Sequence, residues 1–300
     1  MATILETLST DLAAAADAAG RATVAVHARR RIPASGVLWR PGLVVATHHT
    51  VHKDDDVRIT LEGGRTARGS VTGRDPGTDL VVLRLDGDAG TPATVHRDPL
   101  RVGQLALAVG RPGDAITAAL GVVSAVGPAW RTWHGGEIDQ FVRLDVSVYD
   151  GFSGGPLVDA AGRVLGINTS ALARAAAVTI PAATVDRVVD QLLAGGRVRR
   201  GYLGIGTQQV RLPDAVRTQL GEQQMALMLV AIEPGAPAEQ GGLLLGDVLV
   251  ALGDRATEDV DDVLAALGGD TVGQQLDARV LRAGELRTVP VTIGDAPARR

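Results

Sequence analysis

Between residues 22 and 168 the chain is a succession of short β-prone runs: ATVAVHA, GLVVATH, VRITL, ARGSVTG, DLVVLRL, QLALAVG, TAALGVVSAVG, QFVRLDV, PLVD and RVLGIN. They recur about every ten residues, punctuated by GG, DPG, RPGD and DAAG turn signals. No amphipathic helical stretch lies between them, and a parallel sheet needs one at each crossover. The pattern therefore excludes a βαβ fold and predicts an all-β barrel or sandwich. It changes at PAATVDRVVDQLLAGG, where Val185, Val188, Val189 and Leu192 fall at helical spacing between a proline and Gly195-Gly196. The exposed basic run RVRR (197–200) follows. Beyond it, LMLVAIEPG, DVLVALGD, LDARVLR and RTVPVTIG read as strands and EDVDDVLAALGG as a helix, a smaller α+β unit. The expected organisation is an N-terminal helix or extension over 1–20, in which Thr10 or Asp11 caps an alanine-rich helix that Gly20 ends. A first domain covers 21–196, a linker 197–201, a second domain 202–294 and a frayed tail 295–300.

Composition narrows the functional classes. Three hundred residues suffice for two domains, and 45% hydrophobic with 21% charged residues is a globular balance. The absence of cysteine removes disulfides, thiolate metal sites and a cysteine nucleophile. With 3 Trp, 2 Tyr and 2 Phe, the core must rest on Val, Leu, Ile and Ala. A formal charge of −4 argues against a dedicated nucleic-acid binder, and no apolar run is long enough to span a membrane. MATILETLSTDLAAAADAAG lacks a basic leading segment and carries Glu6, Asp11 and Asp17, so the expected location is the cytoplasm.

The strongest local feature is Gly151-Phe152-Ser153-Gly154-Gly155-Pro156. A hydroxyl becomes a nucleophile when a base takes its proton and backbone N–H groups receive the developing oxyanion, and flanking glycines let the chain aim those groups. G-x-S-x-G alone is weak, since it also occurs in the α/β-hydrolase elbow and in turns without function. Chain order discriminates. All six histidines (27, 48, 49, 52, 96 and 134) precede Ser153, which excludes the order Ser, acid, His. The order Asp, His, Ser would need Asp11 or Asp17, both in the N-terminal helix. The order His, Asp, Ser fits.

In VVATHHTV, the spacing of a trypsin-like base behind its strand selects His49 over His48, the alternative being that both are plain loop residues. Asp79 opens the hydrophobic run DLVVLRL; its burial there would be costly without a donor, and an imidazole N–H is such a donor. His48, His49, His52 and Asp54 to Asp56 could gather a divalent cation, but such a run is more often a solvated loop; no metal and no cofactor are expected. The arginine-rich runs at 29–31 and 197–200 read as solvated charges.

The segments SGVLWRPGLVVATHHTV, GRDPGTDLVVLRL, LRVGQLALAVGRPG, LGVVSAVG, LDVSVYDGFSGGPLVDAAGRVLGINTS and VTIPAATVDRVVDQLLAGGRVRRGYLGI together resemble the HtrA/Deg family of trypsin-like serine proteases, in order and over nearly the whole chain. The resemblance implies a mainly β fold: a trypsin-like double β-barrel followed by a small α+β PDZ domain. It implies a triad of His49, Asp79 and Ser153, and an oxyanion hole from the N–H groups of Gly151 and Ser153. Val148 and Ala171 would line the primary specificity pocket, favouring small or medium aliphatic side chains. Tyr202-Leu203-Gly204-Ile205 would hold the terminal carboxylate of a peptide, which adds as an extra strand beside the EDVDDVLAAL helix. The implied partners are polypeptide substrates and C-terminal peptides, with neither nucleic acid nor membrane. A homo-oligomer stays open, and the lack of any aromatic residue before Trp39 weighs against the family's trimer. Two departures stand out: Phe152 occupies the position of the family's usual Asn and trypsin's Asp, and Thr50 replaces the usual Val or Cys. The competing expectation is an inactive, PDZ-bearing binding or chaperone-like protein.

Overall fold

The computed structural model describes residues 3–29, 32–87, 90–133, 135–146, 149–173, 178–221 and 223–297. His134, Val148, Arg30, Arg31 and the last three residues lie outside this set. The chain divides into two compact units, 1–198 and 199–300.

The first unit opens with helix α1 (Ile4–Ala22). It starts earlier than expected, because Thr3 and Glu6 form a reciprocal capping box: Glu6 N–H donates to Thr3 Oγ1 at 3.2 Å and Thr3 N–H to Glu6 Oε2 at 2.7 Å. This satisfies two orphan donors at once, worth about 1 kcal/mol, whereas Thr10 back-bonds to Glu6 O within the helix at 2.8 Å. Nor does Gly20 end the helix. A Cβ there would lie 2.9 Å from Ile116 Cδ1, so this glycine serves close packing; the helix runs on to Ala22, and Thr23 caps it, its Oγ1 donating to Ala19 O.

Strands β1 (Thr23–His27), β2 (Ala34–Arg40), β3 (Leu43–Thr47), β4 (Val57–Thr60), β5 (Thr66–Asp75) and β6 (Leu80–Leu85) close into an antiparallel barrel in the order β1-β2-β3-β6-β5-β4. Strands β7 (Leu105–Gly110) and β8 (Thr117–Gly127) begin a second barrel; β9 (Trp130–Arg131) and β10 (Glu137–Ile138) form a hairpin beside it. Strands β11 (Phe141–Asp145), β12 (Pro156–Val158), β13 (Val164–Thr169) and β14 (Val178–Pro181) complete that barrel in the order β11-β14-β13-β12-β7-β8.

Two-residue periodicity explains why β3 and β6 read as unbroken apolar runs. Val44, Ala46, Val81 and Leu83 fill the first barrel, while Leu43, Val45, Leu80 and Val82 face a second cluster. That cluster contains Leu107, Val109 and Ile167 of the other barrel and Val185, Val188, Val189 and Leu192 of helix α2 (Ala182–Gly195). Helix α2 ends on Gly196 at φ +70° and is tied to β2 by Trp39 Nε1 donating to Asp186 at 2.8 Å. Ala106, Val123, Val142, Leu144, Leu157 and Leu165 fill the second barrel.

The second unit contains β15 (Gly201–Tyr202), β16 (Ile205–Arg211), α3 (Asp214–Arg217), β17 (Met225–Ile232), α4 (Pro237–Gly241), β18 (Val248–Leu252), β19 (Arg255–Ala256), α5 (Val260–Ala266), β20 (Gln275–Arg282), β21 (Glu285–Thr292) and β22 (Gly294–Asp295). Its main sheet runs β16-β17-β18-β20-β21, with β19 beside β18, so β16 is an edge strand among the described residues. Leu203, Leu227, Leu249, Val263, Ala278 and Val291 share its core. No described helix is long and apolar enough to cross a membrane.

Candidate active site

The acid comes first. Asp75 accepts from Gly77 N–H (3.1 Å), Thr78 N–H (3.2 Å) and Thr78 Oγ1 (2.7 Å), folding DPGT into a tight turn ahead of β6. Asp79 leaves that turn at φ +58°, a left-handed conformation that Asp tolerates better than most residues. Asp79 is 3% exposed, and among the described residues no Lys or Arg pairs with its carboxylate. Three dipoles hold it instead: His49 N–H donates to Oδ1 at 2.9 Å, Thr169 Oγ1 donates to Oδ2 at 2.6 Å, and His49 Nδ1 lies 2.8 Å from Oδ2. The bond to Nδ1 requires the proton on that nitrogen and leaves Nε2 as a free acceptor.

His49 stands on the short turn His48–Thr50 that follows β3. His48, its neighbour, turns the other way and accepts from Arg74 Nη1 at 3.1 Å. Burial, then the Arg74 charge, pushes the His48 imidazole below its ordinary value; burial and Arg58 do the same to His27. Both are neutral in the fold at pH values where a free imidazole takes up a proton. Below about pH 6.5 the unfolded chain thus binds more protons than the native one, and stability falls on acidification. Thermal melts are expected to decline from about pH 7.5 to 5 less steeply for His48→Gln than for the wild type; parallel slopes would count against this assignment. In the acidic loop that follows, Asp54 pairs with Arg74 and Asp56 with Arg68.

Ser153 lies just before β12 in the second barrel and is 8% exposed. Its Oγ pairs with Ser170 Oγ at 3.2 Å, and no hydrogen bond to His49 forms among the described residues. Thr169 and Ser170, consecutive at the end of β13, thus tie the carboxylate of one barrel to the hydroxyl of the other. Gly154 sits at φ +88°, where an added Cβ would lie 2.0 Å from Ser35 O and 3.2 Å from Thr47 N, so the serine loop is pressed against the strand that leads to His49.

The preceding turn has a defined hand. Phe152 N–H donates to Tyr149 O at 3.1 Å and Gly151, in the third position, has φ +94°. Asp150 is not at positive φ, which makes this a type II turn, with its central peptide plane reversed relative to type I. The N–H groups of Gly151 and Ser153, both buried, have no acceptor among the described residues. Phe152, 1% exposed, is sunk beside Gly110, where a Cβ would meet its ring at 2.1 Å. Ala171 is exposed, its N–H donating to Thr169 Oγ1 at 3.0 Å; Val148, named with it for the specificity pocket, lies outside the described residues. Asp75, Thr169, Ser170 and Ser35 were not singled out from the sequence. For Asp75 the Asp-x-Gly-Thr spacing was an available turn signal.

In the second unit, Tyr202 closes β15 and Ile205 opens β16. Leu203 is buried, and Gly204, at φ +73°, lies where a Cβ would come 2.3 Å from Ala236 Cβ. The carbonyl groups of Leu203 and Gly204 are held by Ala238 N–H (3.0 Å) and Glu233 N–H (2.8 Å), whereas their own N–H groups have no acceptor among the described residues. The Tyr202 hydroxyl donates to Glu233, which raises its pKa.

Two closed antiparallel barrels joined to a sheet of this order define a trypsin-like peptidase fold with a PDZ domain. A trypsin-like peptidase domain model matches residues 34–167 and a PDZ domain model 201–293. Curated relatives named probable periplasmic serine endoprotease DegP-like include those of Chlamydia trachomatis, 31% identical over 87% of this chain and 53% of that protein, and Brucella suis, 32% identical over 90% and 54%. The chain spans about half the length of these relatives. Among solved structures, the HtrA-type protease AlgW with a decapeptide superposes with a TM-score of 0.79 at 25% identity, covering 96% of this chain and 99% of that one. The serine endoprotease from Yersinia pestis gives 0.77 at 26% identity, covering 94% and 97%. The chain belongs to the HtrA/Deg family of trypsin-like serine proteases that carry a PDZ domain. The names of the relatives correct one expectation: they are called probable periplasmic, which points to the cell envelope and away from the cytoplasm, so an acidic N-terminal stretch was no guide to compartment.

Proposed function

We propose that the chain is an ATP-independent serine endopeptidase that cuts unfolded or exposed polypeptide, with its PDZ domain capturing peptide C-termini. Ser153 Oγ attacks the scissile carbonyl carbon while His49 Nε2 takes its proton; His49 then gives that proton to the leaving amine. Water repeats the sequence to release the acyl group. Asp79 holds the imidazole in the required tautomer and offsets its positive charge. The amides of Gly151 and Ser153 receive the oxyanion. The observation that carries this reading is the buried Asp79 carboxylate, bonded to both the backbone and the ring of His49. The experiment is fluorophosphonate labelling: one adduct on Ser153 in the wild type and none in Ser153→Ala. An unlabelled wild type would favour the inactive binding protein.

Small or medium aliphatic side chains before the cut bond fit the pair Val148 and Ala171; a peptide-library profile dominated by Arg or Lys would overturn that preference. The terminal carboxylate of a peptide would meet the free amides of Leu203 and Gly204, flanked by Tyr202 and Ile205, and its chain would pair with the open edge of β16. Gly204→Val adds atoms against Ala236 at a positive φ, so C-terminal peptide binding is expected to weaken about tenfold or more. Isothermal titration with free-acid and amidated peptides checks this, the amidated form binding poorly to the wild type. Neither nucleic acid nor lipid is needed by the reading, and self-association is left to direct measurement.

A further inference from the structure

The type II turn at Tyr149–Phe152 needs something to hold it, and the polar side chain that this loop carries in trypsin or in the family's usual sequence is replaced by Phe152. Ser35, at the start of β2 and fully buried, holds the turn from the other barrel. Its Oγ donates to Gly151 O at 2.6 Å, and its N–H donates to Ser153 O at 3.1 Å. Its Oγ in turn accepts from Arg111 N–H at 2.7 Å, which fixes the direction of the hydroxyl proton toward Gly151.

Arg111 is itself anchored. It is 5% exposed, and its guanidinium donates to three backbone carbonyls: Thr23 O at 2.7 Å, Gly20 O at 2.9 Å and Asp114 O at 2.5 Å. Two of these belong to the C-terminal end of α1, where unsatisfied carbonyls and the helix dipole favour a cation. Hydrogen bonds therefore run without a break from the end of α1, through Arg111 and Ser35, to the carbonyl next to the oxyanion N–H.

We propose that this chain is the positioning device of the oxyanion loop: the seated end of α1 sets Arg111, Arg111 sets Ser35, and Ser35 holds the peptide that follows Gly151, and with it the place from which the Gly151 N–H serves the reacting centre. The inference rests on the reading of Ser153 as nucleophile. Its physical content is the peptide on which the turn closes. A type I turn, with Gly151 φ near about −90°, has the Asp150–Gly151 peptide reversed and would replace the N–H in the hole by a carbonyl. Gly151 O belongs to the next peptide, which Ser35 pins; without that donor a buried acceptor is left unpaired and the loop that carries the hole loses its seat. Ser35 is not a group that touches substrate; it acts through Gly151.

The test uses full-length protein and four forms: wild type, Ser35→Ala, Arg111→Met and the double variant. The rate constant for fluorophosphonate labelling and the separate values of kcat and KM for a peptide substrate are read well below each variant's melting temperature. Ser35→Ala is expected to lower labelling and kcat about tenfold, or about 1.4 kcal/mol, with KM changed less than twofold. Arg111→Met should move the same quantities in the same direction, and the double variant should resemble the more impaired single variant, because both cut one chain. A folded Ser35→Ala that labels at the wild-type rate, or losses that multiply in the double variant, would overturn the inference. An unlabelled wild type would instead remove the nucleophile assignment beneath it.

Discussion

Ser153→Ala is expected to yield a folded protein that cleaves unfolded polypeptide about 10⁴- to 10⁶-fold more slowly than the wild type. The size of the loss follows from what is removed: without the Oγ there is no covalent acyl step, and only the oxyanion amides and binding remain. The fold should not suffer. Among the described residues the Oγ has a single partner, Ser170, and its deletion leaves Ser170, which is exposed, free to bond water. A melting temperature within a few degrees of wild type, combined with the rate collapse in a casein assay, is the expected pair of results. Undiminished cleavage would rule out the mechanism.

The second large effect is expected at Asp79→Asn, a loss of about 10³- to 10⁴-fold in kcat. Asparagine is nearly isosteric and also tolerates the positive φ of this position, so the turn built by Asp75 can persist. Its amide, however, offers a carbonyl oxygen on one side only. Asp79 serves three donors through two oxygens. Asparagine would either turn its NH₂ toward His49 Nδ1, stabilising the tautomer that places the proton on Nε2, or turn it toward the His49 backbone N–H, setting donor against donor there. In the first arrangement Nε2 can no longer accept from Ser153. Steady-state kinetics read the loss in kcat, and imidazole nitrogen NMR reads the change of tautomer; an unchanged kcat would show that Asp79 does not orient the ring.

How much of this was legible in the sequence depends on the range of the interaction. Turn chemistry and strand periodicity are local, so most strands of both barrels and helix α2 could be read directly. Strands β2, β14 and β16 were not singled out as strands. Ser-Gly at the start of β2 and the proline closing β14 look like loop signals, and only pairing across the barrel overrides them. The start of α1 is set by the capping box of Thr3 and Glu6, well ahead of Thr10 and Asp11, the cap residues that adjoin the alanine run. At the site, His49, Asp79 and Ser153 were found from chain order and flanking residues, since their chemistry restricts which types can serve. Thr169, Ser170 and Ser35 were invisible for the opposite reason: a hydroxyl that bonds a residue 90, 17 or 116 positions away leaves no local trace.

The ring of Phe152, sunk against Gly110, has a consequence for how such an enzyme dies. Burial of a phenylalanine side chain contributes about 1.5–3 kcal/mol, and it depends on neither charge nor ionic strength. Brine or mild acid therefore has no grip on this anchor, while warming can extract the ring only by loosening the wall it sits in. Heat inactivation and denaturation of the second barrel are thus expected to coincide as one event, with no interval in which a native-looking molecule has already lost its activity.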